Sequence, residues 1–221
     1  MQSHFSLIWE SVADAVPEHI ALIQGERRIT WRDYEDRAAR LGQGLIDAGL
    51  GHNSKVGMYL YNSPEYAETN FAAMKIGGVP INVNYRYLDD ELYYLLENAD
   101  IEALVFHSSL GDRVARVCDR LPMLKAMICV DDGPAEDGTM GPSNGIAYDA
   151  FLTQASGTAR TQPKGDEIYM LYTGGTTGMP KGVMYPLDGF TEFFMRGFPP
   201  MIGLDPFETA DRFGPAARQM V

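Results

Sequence analysis

Apolar residues recur along this chain in two alternating rhythms, steps of three and four and then steps of two. In residues 5–16, Phe5, Ile8, Val12 and Val16 fall on one side of a helix that Pro17 stops. IALIQ and RRITW flank Gly25-Glu26 and predict a hairpin. Thr30 caps the next helix, whose apolar positions Tyr34, Ala38, Leu41, Leu45 and Ala48 run until Gly49. KVGMYLY alternates Val56, Met58 and Leu60 as a strand. Ser63 then caps a helix with Pro64 in its first position, where the missing N–H costs nothing. Glu65 adds negative charge at the positive end of the helix dipole. This helix is expected to run to Ile76, where Gly77-Gly78 breaks it.

The alternation continues. VPINVN is a strand, Asp89 or Asp90 opens a helix through Asn98, and EALVF is a strand. Ser108 or Ser109 caps a helix to Arg120, and KAMICV is a strand again. Strand–helix units of this spacing predict an α/β fold, a mostly parallel sheet layered with helices. Residues 131–145 read as a surface loop with Asp131 and Asp132 as solvated charge, residues 146–155 as a helix, and residues 156–166 as a polar connector into the strand EIYMLY. Trp9 and Trp31 are expected in the core. Tyr85-Arg86-Tyr87 is expected to stack between a strand end and a helix start. The aromatic stretch FTEFFMRGFPPM, residues 190–201, would line an apolar tunnel in a complete enzyme and is exposed otherwise.

Composition narrows the function. With 221 residues, 45% hydrophobic and 22% charged, the chain is globular. A net charge of 18 − 30 = −12 disfavours nucleic acid as the main partner but leaves room for a local anion site. Cys118 and Cys129 show no CxxC spacing and read as buried, reduced thiols. His4, His19, His52 and His107 show no ligand spacing, so no His/Cys metal site is predicted. No segment reads as a signal peptide or a transmembrane span, which makes cytoplasmic the expected location.

Four glycines, three threonines and a lysine crowd into ten residues, Thr173 to Gly182, between two apolar runs. Gly174, Gly175 and Gly178 let consecutive amides turn toward one anion. Thr173, Thr176 and Thr177 supply hydroxyls, and Lys181 a movable ammonium. The Walker pattern fails here, because Pro180 precedes the lysine and Gly182 stands where Ser or Thr belongs. VMY then favours a strand, so the element is strand–loop–strand, and a kinase or NTPase is disfavoured.

TGGTTGMPKGV resembles the signature loop of the adenylate-forming enzymes, whose usual form is TSGTTGxPKG. NSPEYAETNFAAMKIGGVPINVNYRY and ITWRDYEDRAARLGQGLIDAGL resemble the preceding blocks of acyl-CoA synthetases. The resemblance implies an N-terminal AMP-binding region over residues 1–221, made of incomplete subdomains. It implies ATP-dependent activation of a carboxylic acid, fatty or sterol-derived, to an acyl-adenylate and then to acyl-CoA. ATP, Mg²⁺ and coenzyme A are the implied cofactors and co-substrates. Thr173, Gly174, Gly175, Thr176, Thr177, Gly178 and Lys181 would hold the phosphates. Lys181 would act in catalysis and Thr176 would meet Mg²⁺. A homodimer is allowed.

Two departures stand out. Gly174 replaces a serine, removing a hydroxyl whose bond to a charged group is worth about 1.5–3 kcal/mol. GVMYPLDG lacks the histidine of the relatives' GVxxTHxN. The YGxTE pattern, the ribose-binding aspartate, the hinge and the late lysine are absent from residues 187–221, so a fragment inactive on its own is expected. The alternative is a non-catalytic nucleotide- or phosphate-binding or regulatory module.

Overall fold

The computed structural model describes residues 4–133, 142, 144–175 and 178–220. Its first helix, α1 (Phe5–Ala15), is capped by the His4 ring, which accepts the Ser6 amide. The buried face differs from the predicted one. Ser6, Glu10 and Ala13 point inward, while Phe5, Ile8 and Val12 are only half-buried; Val16, just past the helix, is buried as expected. The cause is Lys75, whose side chain is fully buried. Its Nζ lies 2.6 Å from Glu10 and 2.8 Å from Glu35, and this pairing turns a charged stripe of α1 toward the interior.

The predicted hairpin follows as β1 (Ile20–Gln24) and β2 (Arg27–Thr30), and Thr30 caps α2 (Trp31–Asp47) by accepting the Asp33 amide. β3 (Lys55–Tyr59) leads to α3 (Pro64–Lys75), capped by Ser63 as expected and ending one residue early. Gly77 adopts a φ of +68°, a conformation that closes this turn and that other residues rarely adopt. Glu65 does more than favour the dipole, because it accepts Arg27 at 2.8 Å.

β4 (Val79–Asn82), α4 (Asp89–Asn98), β5 (Ile101–His107), α5 (Gly111–Val117) and β6 (Ala126–Val130) continue the alternation. The predicted helix to Arg120 is shorter, with a 3₁₀ turn at each end. Ser108 and Ser109 do not cap it. The Ser109 amide and hydroxyl and the Ser108 hydroxyl all donate to Asp132, at 2.7–3.0 Å. Asp132 is therefore a tie between strand ends rather than free loop charge. β7 (Ile146–Ala147) precedes α6 (Tyr148–Gln154), so the predicted helix over 146–155 begins with a two-residue strand.

Five strands form one parallel sheet in the order β4-β3-β5-β6-β7. Helices cover both faces. On β5, Leu104 and Phe106 join Leu92, Leu95 and Val114 of α4 and α5, while Ala103 and Val105 join Leu41, Leu45 and Ala72 of α2 and α3. A strand buried on both faces reads as a continuous apolar run, as ALVF does. Trp9 and Trp31 pack at the edge of a third cluster around Tyr34 and Phe71. Arg86 lies over the Tyr85 ring at 5.1 Å, the expected stack.

The chain ends in β8 (Ile168–Gly175), β9 (Gly178–Pro186), α7 (Leu187–Arg196), α8 (Phe198–Met201) and α9 (Phe213–Met220). Among the described residues no helix is long and apolar enough to cross a membrane.

Candidate phosphate-binding site

β8 and β9 pair antiparallel, as the strand–loop–strand reading requires. Side chains alternate across the two strands. Ile168, Met170 and Tyr172 face the α4/α5 side of the main core. Tyr169, Leu171 and Thr173 face outward, each opposite Tyr185, Val183 and Lys181 in turn. At the root of this outer face, Phe190 of α7 stacks on Tyr169 at 5.3 Å. Beyond it Leu171 and Val183 stay exposed. Thr173 and Lys181 come next, both exposed and directly opposite, so hydroxyl and ammonium share one face. Among the described residues Lys181 has no carboxylate within ion-pair distance.

Past this pair the register slips. Gly174 alone faces both Met179 and Pro180 before Gly175 meets Gly178. Such a bulge is one of the few places in a sheet that accepts proline. Thr176 and Thr177 lie outside the described residues, and with Thr176 the expected Mg²⁺ contact. A Cβ on Gly182 would meet the Tyr172 ring at 3.1 Å and the Met170 sulfur at 3.2 Å. Glycine is therefore needed there because the inner face passes so close. The Tyr172 hydroxyl donates to Asn98 at 2.9 Å and fixes the hairpin to α4.

The hairpin points toward the carboxyl ends of the parallel strands. At its root, Glu167 lies near Gly77, just before β4, and the Glu167 carbonyl accepts the Leu187 amide. Higher up, Tyr172 shares a cavity of about 370 Å³ with Asn82, Asn84, Tyr85 and Tyr87, just after β4. β8 thus runs in the direction of β4. Open α/β sheets bind ligands at this carboxyl edge. A larger cavity of about 500 Å³, walled by Glu10, Asp14, Arg160 and Arg218, takes no residue from the hairpin.

The strand order reverses between β3 and β5, and sequence reasoning missed what lies there. His107 Nδ1 accepts the Tyr61 amide at 3.0 Å, so its neutral ring carries the proton on Nε2. Burial lowers the His107 pKa, against the opposing pull of Asp132 and Glu65. This bond ties the two strand ends together. No local spacing announces it, because Tyr61 follows β3 while His107 ends β5.

The residues described at the hairpin suit a polyphosphate. They offer an exposed hydroxyl and ammonium on one face, next to a bulged glycine backbone. Among the described residues, the single group of three metal-ligating side chains lies at the hairpin root and not at its tip.

The architecture is that of solved CoA ligases. The TM-score is 0.76 against the anthranilate CoA ligase AuaEII in complex with anthranoyl-AMP, at 20% identity over 91% of this chain and 38% of that one. It is 0.67 against a benzoate CoA ligase from Burkholderia xenovorans, at 17% identity over 83% and 34%. The AMP-binding enzyme family model matches residues 9–212, and the chain belongs to that family. A 3-oxocholest-4-en-26-oate–CoA ligase of Rhodococcus rhodochrous is 41% identical over 177 residues, which is 80% of this chain and 32% of that protein. A medium/long-chain-fatty-acid–CoA/3-oxocholest-4-en-26-oate–CoA ligase of Mycobacterium marinum is 39% identical over 181 residues, again 32% of its length. The chain thus spans about a third of the length of these relatives.

Proposed function

We propose that this chain is the phosphate-gripping part of an acid–thiol ligase that activates a fatty or sterol-derived carboxylic acid with ATP and passes the acyl group to coenzyme A. The placement of Thr173 opposite Lys181, exposed at the carboxyl edge of the sheet, carries the reading. In the first step a carboxylate oxygen bonds to the α-phosphorus as the bond to pyrophosphate breaks. The thiol sulfur then takes the acyl carbon, AMP leaves, and the thiol gives up its proton. Backbone amides of Gly174, Gly175 and Gly178, with the hydroxyls of Thr173, Thr176 and Thr177, hold the β- and γ-phosphates. Lys181 neutralises charge that grows on the departing pyrophosphate. Thr176 would help to hold Mg²⁺, which would supply positive charge against the phosphates. The exposed Leu171–Val183 strip joins the aromatic face of α7 to Lys181, a path for an apolar acyl chain toward the phosphates.

Calorimetric titration with magnesium-ATP tests the grip. Lys181→Ala removes one charge-assisted contact, about 1.5–3 kcal/mol, and weakens binding about 10- to 150-fold. Equal affinity for wild type and variant, or no binding by either, overturns the reading. An acyl-CoA assay on a chain that also carries the segments of the longer relatives separates the ligase from a module that binds phosphate without turnover.

A further inference from the structure

Three side chains distant in sequence meet at the root of the phosphate hairpin. His52 lies in the turn before β3, and Asp166 and Glu167 immediately precede β8. One ligand atom from each lies within 4.8 Å of the other two. His52 Nε2 is 2.9 Å from Asp166 Oδ1, and Nδ1 is 4.0 Å from Glu167 Oε1. Both ring nitrogens are buried, yet neither makes a hydrogen bond to a described residue. The Asp166 oxygen is near enough to accept a proton from Nε2 but stands off the N–H axis, so close contact and absent bond agree.

That off-axis position has a use. With metal–ligand bonds of about 2.0–2.2 Å, two donors 2.9 Å apart subtend about 90° at an ion on the ring-nitrogen axis. Ninety degrees is the angle between neighbouring ligands of a six-coordinate ion. The Glu167 carboxylate is already oriented by the amides of Lys164 and Gly165, the outer-shell support that ligating carboxylates require. The turn carrying His52 is held by the Asn53 amide on the Gly77 carbonyl at 2.8 Å. Two carboxylates supply charge to match a divalent cation, and Asp166, 69% exposed, leaves room for water ligands and an entry path.

We infer that His52, Asp166 and Glu167 form a binding site for a first-row divalent cation of the Mn²⁺ to Zn²⁺ series, at the opposite end of β8 from the phosphate loop. The imidazole favours these ions over Mg²⁺ and Ca²⁺. Occupancy staples the turn before β3 to the segment that launches the hairpin.

Titration of the 221-residue chain with Zn²⁺ or Mn²⁺ alone, without nucleotide, tests this apart from any nucleotide reading. One equivalent is expected to bind, Zn²⁺ more tightly than Mn²⁺, with a rise in Tm. His52→Gln and Asp166→Asn are each expected to weaken binding at least tenfold and to abolish the rise. Asp166 is exposed enough that its variant keeps the fold. Absence of binding, or binding by Asp166→Asn equal to that of wild type, overturns the assignment. Mg²⁺ competing as well as Zn²⁺ overturns it too.

Discussion

Replacing Lys75 by methionine removes the charge that holds α1, α2 and α3 together. The ammonium is fully buried and meets two carboxylates, Glu10 at 2.6 Å and Glu35 at 2.8 Å. Arg160 remains, 3.3 Å from each, but it is half exposed and also serves Asp14. Two charge-assisted bonds are lost, each worth about 1.5–3 kcal/mol. Protonation of a stranded carboxyl limits the total, so the expected loss is about 3–5 kcal/mol, the cost of breaking a buried pair. Burial already holds Glu35 above the usual carboxylate range, against the pull of Lys75. Without Lys75 the folded value rises further, while the unfolded one stays near about 4.3. Between the two the folded state binds more protons, so the variant's stability falls as pH rises through that window. Urea unfolding followed by circular dichroism should show a larger deficit at pH 8 than at pH 5. Adding Glu10→Gln and Glu35→Gln should recover much of it, because neutral replacements strand no charge. A deficit below about 1 kcal/mol, or one equal at both pH values, refutes the reasoning.

Two further outcomes are expected. Gly182→Ala pushes a methyl against the Tyr172 ring and should destabilise by about 1–3 kcal/mol, read as a lower Tm and a changed near-ultraviolet tyrosine signal; an unchanged Tm counts against this packing. Burial, with Asp131 and Asp132 nearby, pushes the Cys129 thiol up to about 11, so about one molecule in a thousand carries its thiolate at pH 8 and thiol reagents should label it fast only after unfolding.

The parallel sheet was legible because its strands are buried on both faces and their helices carry good caps. Ser63-Pro64 and Thr30 work locally, so their roles survive folding unchanged. The β8–β9 hairpin was legible for the same reason, since glycine frees the backbone and proline fixes it wherever they stand. The face of α1 was not. Its periodicity favoured Phe5, Ile8 and Val12, but a lysine 65 residues beyond Glu10 decided which side turned inward. β7, at two residues, is too short to show a period. Asp132 looked like loop charge because its partners, Ser108 and Ser109, are more than twenty residues away. Histidine spacing could not reveal the His52 group, whose carboxylates lie over a hundred residues further on.

The bond from Tyr172 to Asn98 gives the hairpin a fulcrum. Three residues of β8 overhang it, roughly 10 Å of ribbon at 3.3 Å per residue. The longer arm runs back from Tyr172 to Glu167, where the Leu187 amide clamps it. Behind that bond Met170 and Ile168 are seated in the core, so the arm below it is fixed along its length while the overhang is held by its own pairing with β9. Among the described residues Asn98 is thus the last side chain of the sheet-and-helix body to grip the hairpin by a hydrogen bond, and a change aimed at loosening the overhang would act most directly there.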